Sequence, residues 1–391
     1  MRVLFSSTRG AGHLQPLLPY ALALEAHGHE VLIAGPAEIA ETLRAAGLNH
    51  APFAHPGDAT LSPIWARFRG ASPDEALGIA IREIFAGLNS KAALPKLMES
   101  IEVWRPDLVV RDSVEFASAI AAERAGVPHA RVAVHMVSFE EIIPALAADA
   151  IDELRHEAGL PPSGAGFLST EPVFSAFPAS LDDVSARGGQ PPLRVRMVED
   201  VSSAPATWAP PGDERPLVYI TFGTIVGTSP ALRGVYRTAL EAIASLPVRA
   251  LLTTGRGMEE GTLGAIPANV HVEEWVPQRD VLARAATVVC HGGSGTVRGS
   301  LAAGVPMVVL PQGADQPHNA RRIAAVGAGL AVPDADGASL SAAIARVLAD
   351  PDFARAARRI ADEIAAMPPI DTAVAAMVAM ASAPTSTSTS G

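Results

Sequence analysis

Two clusters of residues in this chain have types and spacings that could carry chemistry. The first is Gly10-Ala11-Gly12-His13-Leu14-Gln15-Pro16, immediately after the apolar run Val3–Ser7. Glycines at that point fit a tight strand-to-helix turn. They place His13 at the start of the helix, where an imidazole can accept a hydroxyl proton near neutrality and act as a general base. Such a base needs a carboxylate to fix its tautomer, and Asp112, at the end of the run Leu108–Arg111, is the candidate. The same two residues also fit plainer roles, a polar first-turn side chain and a strand-end cap. A dinucleotide-binding turn is excluded. The third glycine is missing, and the second strand ends in Ala34-Gly35-Pro36 with no acidic residue for a ribose.

The second cluster is Cys290-His291-Gly292-Gly293-Ser294-Gly295-Thr296, again between an apolar run and a helical pattern. Glycines at a helix N-terminus, here including Gly293 and Gly295, expose N–H groups that bind a pyrophosphate together with the helix dipole. His291, Ser294 and Thr296 add donors that a P-loop would supply with lysine. Lys91 and Lys96 are the chain's lysines, and neither lies in a Gly-rich loop. Upstream, Trp275-Val276-Pro277-Gln278 offers an indole suited to stacking on a flat base. Downstream, Asp315 and Gln316 suit the vicinal hydroxyls of a sugar. Two D-x-D strings, Asp334-Ala335-Asp336 and Asp350-Pro351-Asp352, sit in turns between late helices and read as caps, not metal ligands. The expectation is no metal and no cofactor.

The elements that must hold these clusters follow from hydrophobic period. Val3–Ser7, Glu30–Ala34, Leu108–Arg111 and Ala130–Val134 read as buried parallel strands. Leu14–Ala26, Glu38–Ala46, Pro73–Ile101 and Val114–Ala125 read as helices, with loops over His50–Gly70 and Leu160–Gly189. The proline-rich stretch 202–216 reads as a linker. After it the alternation restarts with strands Leu217–Phe222, Ala250–Thr254, Val270–Val272, Thr287–Cys290, Met307–Leu310 and Leu330–Val332. Strand–helix alternation in both halves predicts an α/β protein of two doubly wound, Rossmann-like parallel-sheet domains facing a cleft. Their expected bounds are 1–201 and 217–366. A last helix, 367–381, and a disordered tail, 382–391, complete the chain.

Composition narrows the function. Thirty basic against 41 acidic residues give a net charge of −11, which disfavours nucleic acid as a partner. A single cysteine, Cys290, excludes an internal disulfide and multi-cysteine metal sites. Neither a signal segment nor an apolar run of membrane-spanning length is apparent, so a cytoplasmic protein without membrane insertion is expected.

Taken together, W-x-P-Q, H-G-G-S-G-T and G-V-P-x-x-x-x-P-x-x-x-D-Q-x-x-N-A, from Trp275 to Ala320, resemble the nucleotide-sugar signature of family 1 glycosyltransferases. The N-terminal G-H-L-x-P and Thr221-Phe222-Gly223-Thr224 extend the resemblance over nearly the whole chain. Its Ala- and Arg-rich character is similar to that of bacterial natural-product members. The resemblance implies a GT-B fold with the acceptor in the first domain, the donor in the second, and the last helix crossing back to the first. It makes His13 the base and Asp112 its partner in an inverting transfer. Trp275 and Val276 would lie by the nucleobase and Gln278 near base and ribose. Thr224, His291, Gly293, Ser294, Gly295 and Thr296 would hold the diphosphate, with Asp315 and Gln316 at the sugar. Trp65, Phe68, Phe85, His135, Met136 and Phe139 are the candidate acceptor pocket, or equally ordinary core. Many members place a Glu eight residues after the signature His. Here that position is Gly299, which leans towards a 2′-deoxyribose, dTDP-linked donor over UDP. The expected partners are thus a nucleoside-diphosphate sugar and an apolar small-molecule acceptor, in a monomer or homodimer. An epimerase, a lipid-acceptor transferase and a non-enzymatic nucleotide-sugar binder are the competing readings.

Overall fold

The computed structural model describes residues 1–182, 190–197, 208, 213–223, 234–255, 257–259 and 261–383. Thr224, most of the expected linker and the tail beyond 383 lie outside them. The described residues form two units: 1–176, 190–197 and 368–383 in the first, and 177–182, 208 and the described parts of 213–367 in the second.

The first unit is built on a parallel sheet of β1 (Arg2–Ser6), β2 (Glu30–Pro36), β3 (Asn49–Phe53), β4 (Leu108–Arg111), β5 (His129–Val132), β6 (Val173–Ser175) and β7 (Leu193–Arg194). Their spatial order is β3-β2-β1-β4-β5-β6-β7. Strand β1 shows why its centre, Val3-Leu4-Phe5, is apolar. Leu4 packs into one helical layer while Val3 and Phe5 pack into the other, so both faces are covered. The second unit repeats the plan with β8 (Leu217–Thr221), β9 (Arg249–Thr253), β10 (Val270–Glu273), β11 (Thr287–Cys290), β12 (Met307–Val309) and β13 (Gly329–Ala331), ordered β10-β9-β8-β11-β12-β13. In each sheet the strand order reverses once at the centre, between β1 and β4 and between β8 and β11. Such reversal points open a crevice at the strand C-terminal ends where ligands bind. Both chemical clusters of the sequence fall there.

The structure corrects several readings of the sequence. β3 escapes the apolar-run criterion because Asn49-His50-Ala51-Pro52-Phe53 is mostly half-exposed. It is an edge strand, where the missing N–H of Pro52 costs no ladder bond. β6 and β7 are too short to leave a pattern. The stretch read as loop over 50–70 holds a helix, Asp58–Gly70, whose one buried hydrophobic residue is Leu61. The long helix read over 73–101 is three segments: Pro73–Ile79, a π-helical turn Ala80–Asn89, and Ser90–Trp104. The widened turn brings the Arg82 carbonyl to 2.9 Å from where a Gly87 Cβ would stand, which holds that position to glycine. Residues 177–182 join the second unit, because Arg322 donates to the carbonyls of Leu181 (2.7 Å) and Ser180 (3.2 Å) and Ser180 N donates to Glu363 (3.1 Å).

The last helix, Ile370–Ser382, belongs to the first unit. It buries Ala373, Val374 and Met377 in the layer formed by Leu14, Leu17, Leu18 and Ala21. Arg196 N donates to Pro368 O at 2.9 Å, and His27 Nε2 stands 3.4 Å from Asp371. Asp336 and Asp350 cap the helices that follow them, accepting from Ser339 N (2.8 Å) and Asp352 N (3.0 Å). Among the described residues, no single helix is long and apolar enough to cross a membrane.

β4 is tied to the far strands by a buried ion pair. Arg111 donates through Nε and Nη2 to both oxygens of Glu171 (2.8 and 2.6 Å), and His129 Nδ1 lies 2.9 Å from the same carboxylate. Burial alone would raise the Glu171 carboxyl, but the Arg111 charge overrides it and holds it far below the ordinary range. Glu171→Ala strands a buried guanidinium and is expected to cost about 3–5 kcal/mol of first-unit stability in a denaturant titration. A loss below about 1 kcal/mol would show that the pair has no such role.

Candidate active site

The first site forms where β1 and β4 part. Ser6 and Arg111 are the last register partners. Beyond them the β1 chain turns through Gly10, whose φ of 120° is closed to side-chain-bearing residues, into the short helix Ala11–Leu14. Beyond β4 stands Asp112, with no exposed side-chain surface. Its Oδ2 accepts from Thr8 N at 2.7 Å, and its Oδ1 accepts from Val114 N (2.7 Å) and Glu115 N (3.0 Å). His13 Nδ1 lies 3.7 Å from Asp112 Oδ1, an ion-pair approach just longer than a direct hydrogen bond. Its side chain keeps 18% of its surface exposed. Burial would push the Asp112 carboxyl up; the facing His13 and the amides of Thr8 and Val114 outweigh it and bring it down to about 2. The carboxylate is therefore charged at any physiological pH, and it turns Nδ1 of His13 inward.

The candidate acceptor residues divide. Phe85, on the π-helical turn, is 5.5 Å from His13 between ring centroids, and His135 is 6.2 Å away. Trp65 and Phe68 pair edge-to-face at 5.2 Å on the helix Asp58–Gly70. Met136 is wholly buried, and Phe139 belongs to the core cluster while touching His135 at 5.4 Å. Met136 thus underlies the site instead of lining it. Sequence reasoning missed Ser113 and Glu140: Glu140 Oε1 lies 3.3 Å from His135 Nδ1 and accepts from His135 N and from the Ser113 hydroxyl. The available signal was Ser113's position directly after Asp112.

The second site lies where β8 and β11 part, with Thr221 and Cys290 as the last register partners. His291 follows β11 directly, and its surroundings explain the glycines. A Cβ on Gly293 would meet His291 Nε2 at 2.5 Å, one on Gly223 would meet it at 2.9 Å, and one on Gly292 would strike Val309 at 2.7 Å. Burial drives the His291 imidazole down to about 4 against the opposing pull of Asp315 and the Thr221 backbone. It is neutral at pH 7, a single N–H donor and not a cation. The helix Ser294–Ala302 begins at Gly293 with no side-chain cap, so its first N–H groups are open to an anion.

Other predicted donor residues are bound into this turn. Ser294 Oγ donates to Asp315 Oδ2 (2.7 Å), and Asn319 Nδ2 donates to the same oxygen (2.6 Å) and to Gly292 O (2.8 Å). Gln316 Oε1 accepts from Gln312 N at 2.7 Å. Ala314, just before Asp315, holds a left-handed φ of 54°, strained for a residue with a Cβ. Asp315 is thus first a buried brace between two loops. Gln278 Nε2 approaches Thr296 Oγ1 at 3.4 Å, and a Cβ on Gly299 would sit 3.3 Å from Gln278 Oε1. Val276 is buried, whereas Trp275 is 59% exposed.

Two parallel sheets, each with its site at the central reversal, are the GT-B architecture. The solved spinosyn rhamnosyltransferase SpnG shares it, with 28% identity and a TM-score of 0.81 over 97% of this chain and 100% of that one. The protein is a GT-B glycosyltransferase of the natural-product type. Family models described as the N-terminal and C-terminal domains of erythromycin biosynthesis protein CIII-like proteins match residues 22–153 and 237–380, and the chain belongs to that family. It is 33% identical to the elloramycin glycosyltransferase ElmGT of Streptomyces olivaceus, across 95% of this chain and 96% of that protein. It is 32% identical to the L-demethylnoviosyl transferase of Streptomyces niveus, across 94% and 95%.

The crowding at Gly293 gives a direct test. Gly293→Ala must displace His291, and nucleoside-diphosphate affinity measured by calorimetry should fall by about tenfold or more, with the melting transition retained. Unchanged affinity would mean that the imidazole's position does not matter to the anion.

Proposed function

We propose that the protein transfers a sugar from a dTDP-sugar to a hydroxyl of a polyketide-type or similar apolar aglycone, by direct displacement with inversion. The observation that carries this reading is the His13–Asp112 pair at the first reversal point, a partly exposed imidazole backed by a fully buried carboxylate. His13 Nε2 takes the proton of the acceptor hydroxyl as that oxygen bonds to the anomeric carbon. The bond from that carbon to the diphosphate oxygen breaks on the opposite face, and dTDP departs with the bonding pair. Charge growing on the diphosphate is met by the open N–H groups at Ser294 and by neutral His291, donors fixed before the reaction begins. The proposal assigns no metal.

Three observations support the substrate classes. SpnG has been solved with thymidine diphosphate and with spinosyn aglycone. The relatives above are named for transfer to antibiotics or of a deoxysugar. The place of a ribose-binding Glu is held by Gly299, where added atoms would press on Gln278 and Leu282. A 2′-deoxyribose asks for no acceptor there.

His13→Ala should lower transfer by about a hundredfold or more while the dTDP affinity holds. Activity surviving within a few-fold would remove His13 from the role of base. Side-by-side calorimetry should show dTDP binding more tightly than UDP, and markedly tighter UDP binding would overturn the donor assignment. Chelation with EDTA should leave the rate unchanged.

A further inference from the structure

The peptide joining Gly292 to Gly293 leads into the helix Ser294–Ala302, whose N-cap is Gly293. Gly292 holds a φ of 87°, and a residue without a Cβ can carry that peptide in either orientation. Hydrogen bonds decide between the two. Asn319, wholly buried on the helix Gln316–Ala325, donates from Nδ2 to Gly292 O at 2.8 Å. The same nitrogen donates to Asp315 Oδ2 at 2.6 Å, one turn earlier in the chain, with Ser294 Oγ farther off at 3.3 Å. On the other flank the Gly292 N–H faces the buried Cys290 thiol, opposing the burial that pushes that thiol up to about 12.

A brace for Asp315 would by itself explain one of these bonds. It does not explain an amide whose other end is wasted: Asn319 Oδ1 is buried and has no hydrogen-bond partner among the described residues, a costly state. The nitrogen end therefore carries the contribution of this side chain. Asp315 Oδ2 and Gly292 O are both acceptors, so the amide cannot turn over without setting oxygen against oxygen. In a planar trans peptide the C=O and the following N–H point in opposite directions. With Gly292 O drawn inward to Asn319, the Gly293 N–H is turned the other way, ahead of the uncapped first turn of the helix.

We propose that Asn319 is a positioning residue for the donor diphosphate: it holds the Gly292–Gly293 peptide so that an N–H, and not a carbonyl oxygen, faces the anion. Reversing that peptide would set a partial negative charge beside the phosphates where a donor had been. Asn319 acts through the backbone and makes no contact of its own with the ligand. Asp315, by accepting from it, fixes which end of the amide meets the turn. The inference rests on the diphosphate reading of the second site given above and deepens it.

Asn319→Asp keeps the shape and replaces the donor with a carboxylate oxygen, and Asn319→Ala removes it. Both should weaken dTDP binding in calorimetry by about tenfold, while thymidine, which lacks the phosphates, loses less than about twofold in ligand-observed NMR. A dTDP loss below about threefold in a variant that keeps its melting transition overturns the proposal. So does an equal loss for thymidine, which a general loosening of the unit would give. A measurement on wild type does not depend on how the variants fold. The sequence holds two Gly-Gly pairs, 188–189 and 292–293. Protein labelled with carbon-13 at the carbonyl and nitrogen-15 at the amide of glycine therefore shows only the Gly189 and Gly293 amides in a carbonyl-correlated spectrum, and Gly188→Ala tells them apart. The Gly293 proton should move downfield when dTDP is added, and an unmoved or upfield-shifted proton overturns the proposal. Wild type that binds no dTDP would overturn the diphosphate reading itself.

Discussion

Burying the Asp112 carboxylate completely is costly unless every lone pair finds a donor or a charge. Its neighbours are supplied by three parts of the first unit at once. Thr8 comes from the turn after β1, Val114 and Glu115 from the turn after β4, and His13 from the short helix that Gly10 makes possible. Val114 and Glu115 belong to Asp112's own turn, but Thr8 and His13 reach the carboxylate only when β1 and β4 are paired in register, Ser6 beside Arg111. The contact that orients His13 is therefore tied to the strand pairing that closes the reversal point. Orientation of His13 needs no additional device beyond the correct folding of the sheet.

The second unit solves an analogous problem with a neutral ring at its centre. Gly223, Gly292 and Gly293 clear a space into which His291 fits, and burial keeps that ring neutral. On the proposed reading, a neutral donor and an uncapped helix end meet the diphosphate by hydrogen bonding and dipole, with little dependence on side-chain cations. That accounts for a phosphate-handling protein whose lysines are confined to positions 91 and 96. Asp315, Ser294 and Asn319 lock the two loops that frame the helix start.

The strands that carry the sites were legible because buried parallel strands are near-continuous apolar runs, and the glycine-punctuated turns after β1 and β11 mark where each sheet meets a helix. What stayed hidden has a common physical character. β3 is an edge strand whose residues are only partly buried, and the helix Asp58–Gly70 shows the core little more than Leu61, so neither leaves a hydrophobic period. The π-helical segment shows in the close approach of the Arg82 carbonyl at Gly87, a signal without periodicity. Glu140 and Ser113 hold His135 through contacts between separate elements, which spacing along the chain cannot show. Met136, read from the sequence as acceptor pocket or equally as core, is wholly buried.

The central claim is that Asp112 holds His13 ready to act as the base, and Asp112→Asn tests it with the smallest change of shape. The amide keeps the size of the side chain but removes the charge and offers His13 an N–H in place of an acceptor. The account expects transfer, measured with saturating dTDP-sugar, to fall by about a hundredfold or more with dTDP affinity unchanged. A variant that folds, binds dTDP and transfers sugar within a few-fold of wild type would contradict it.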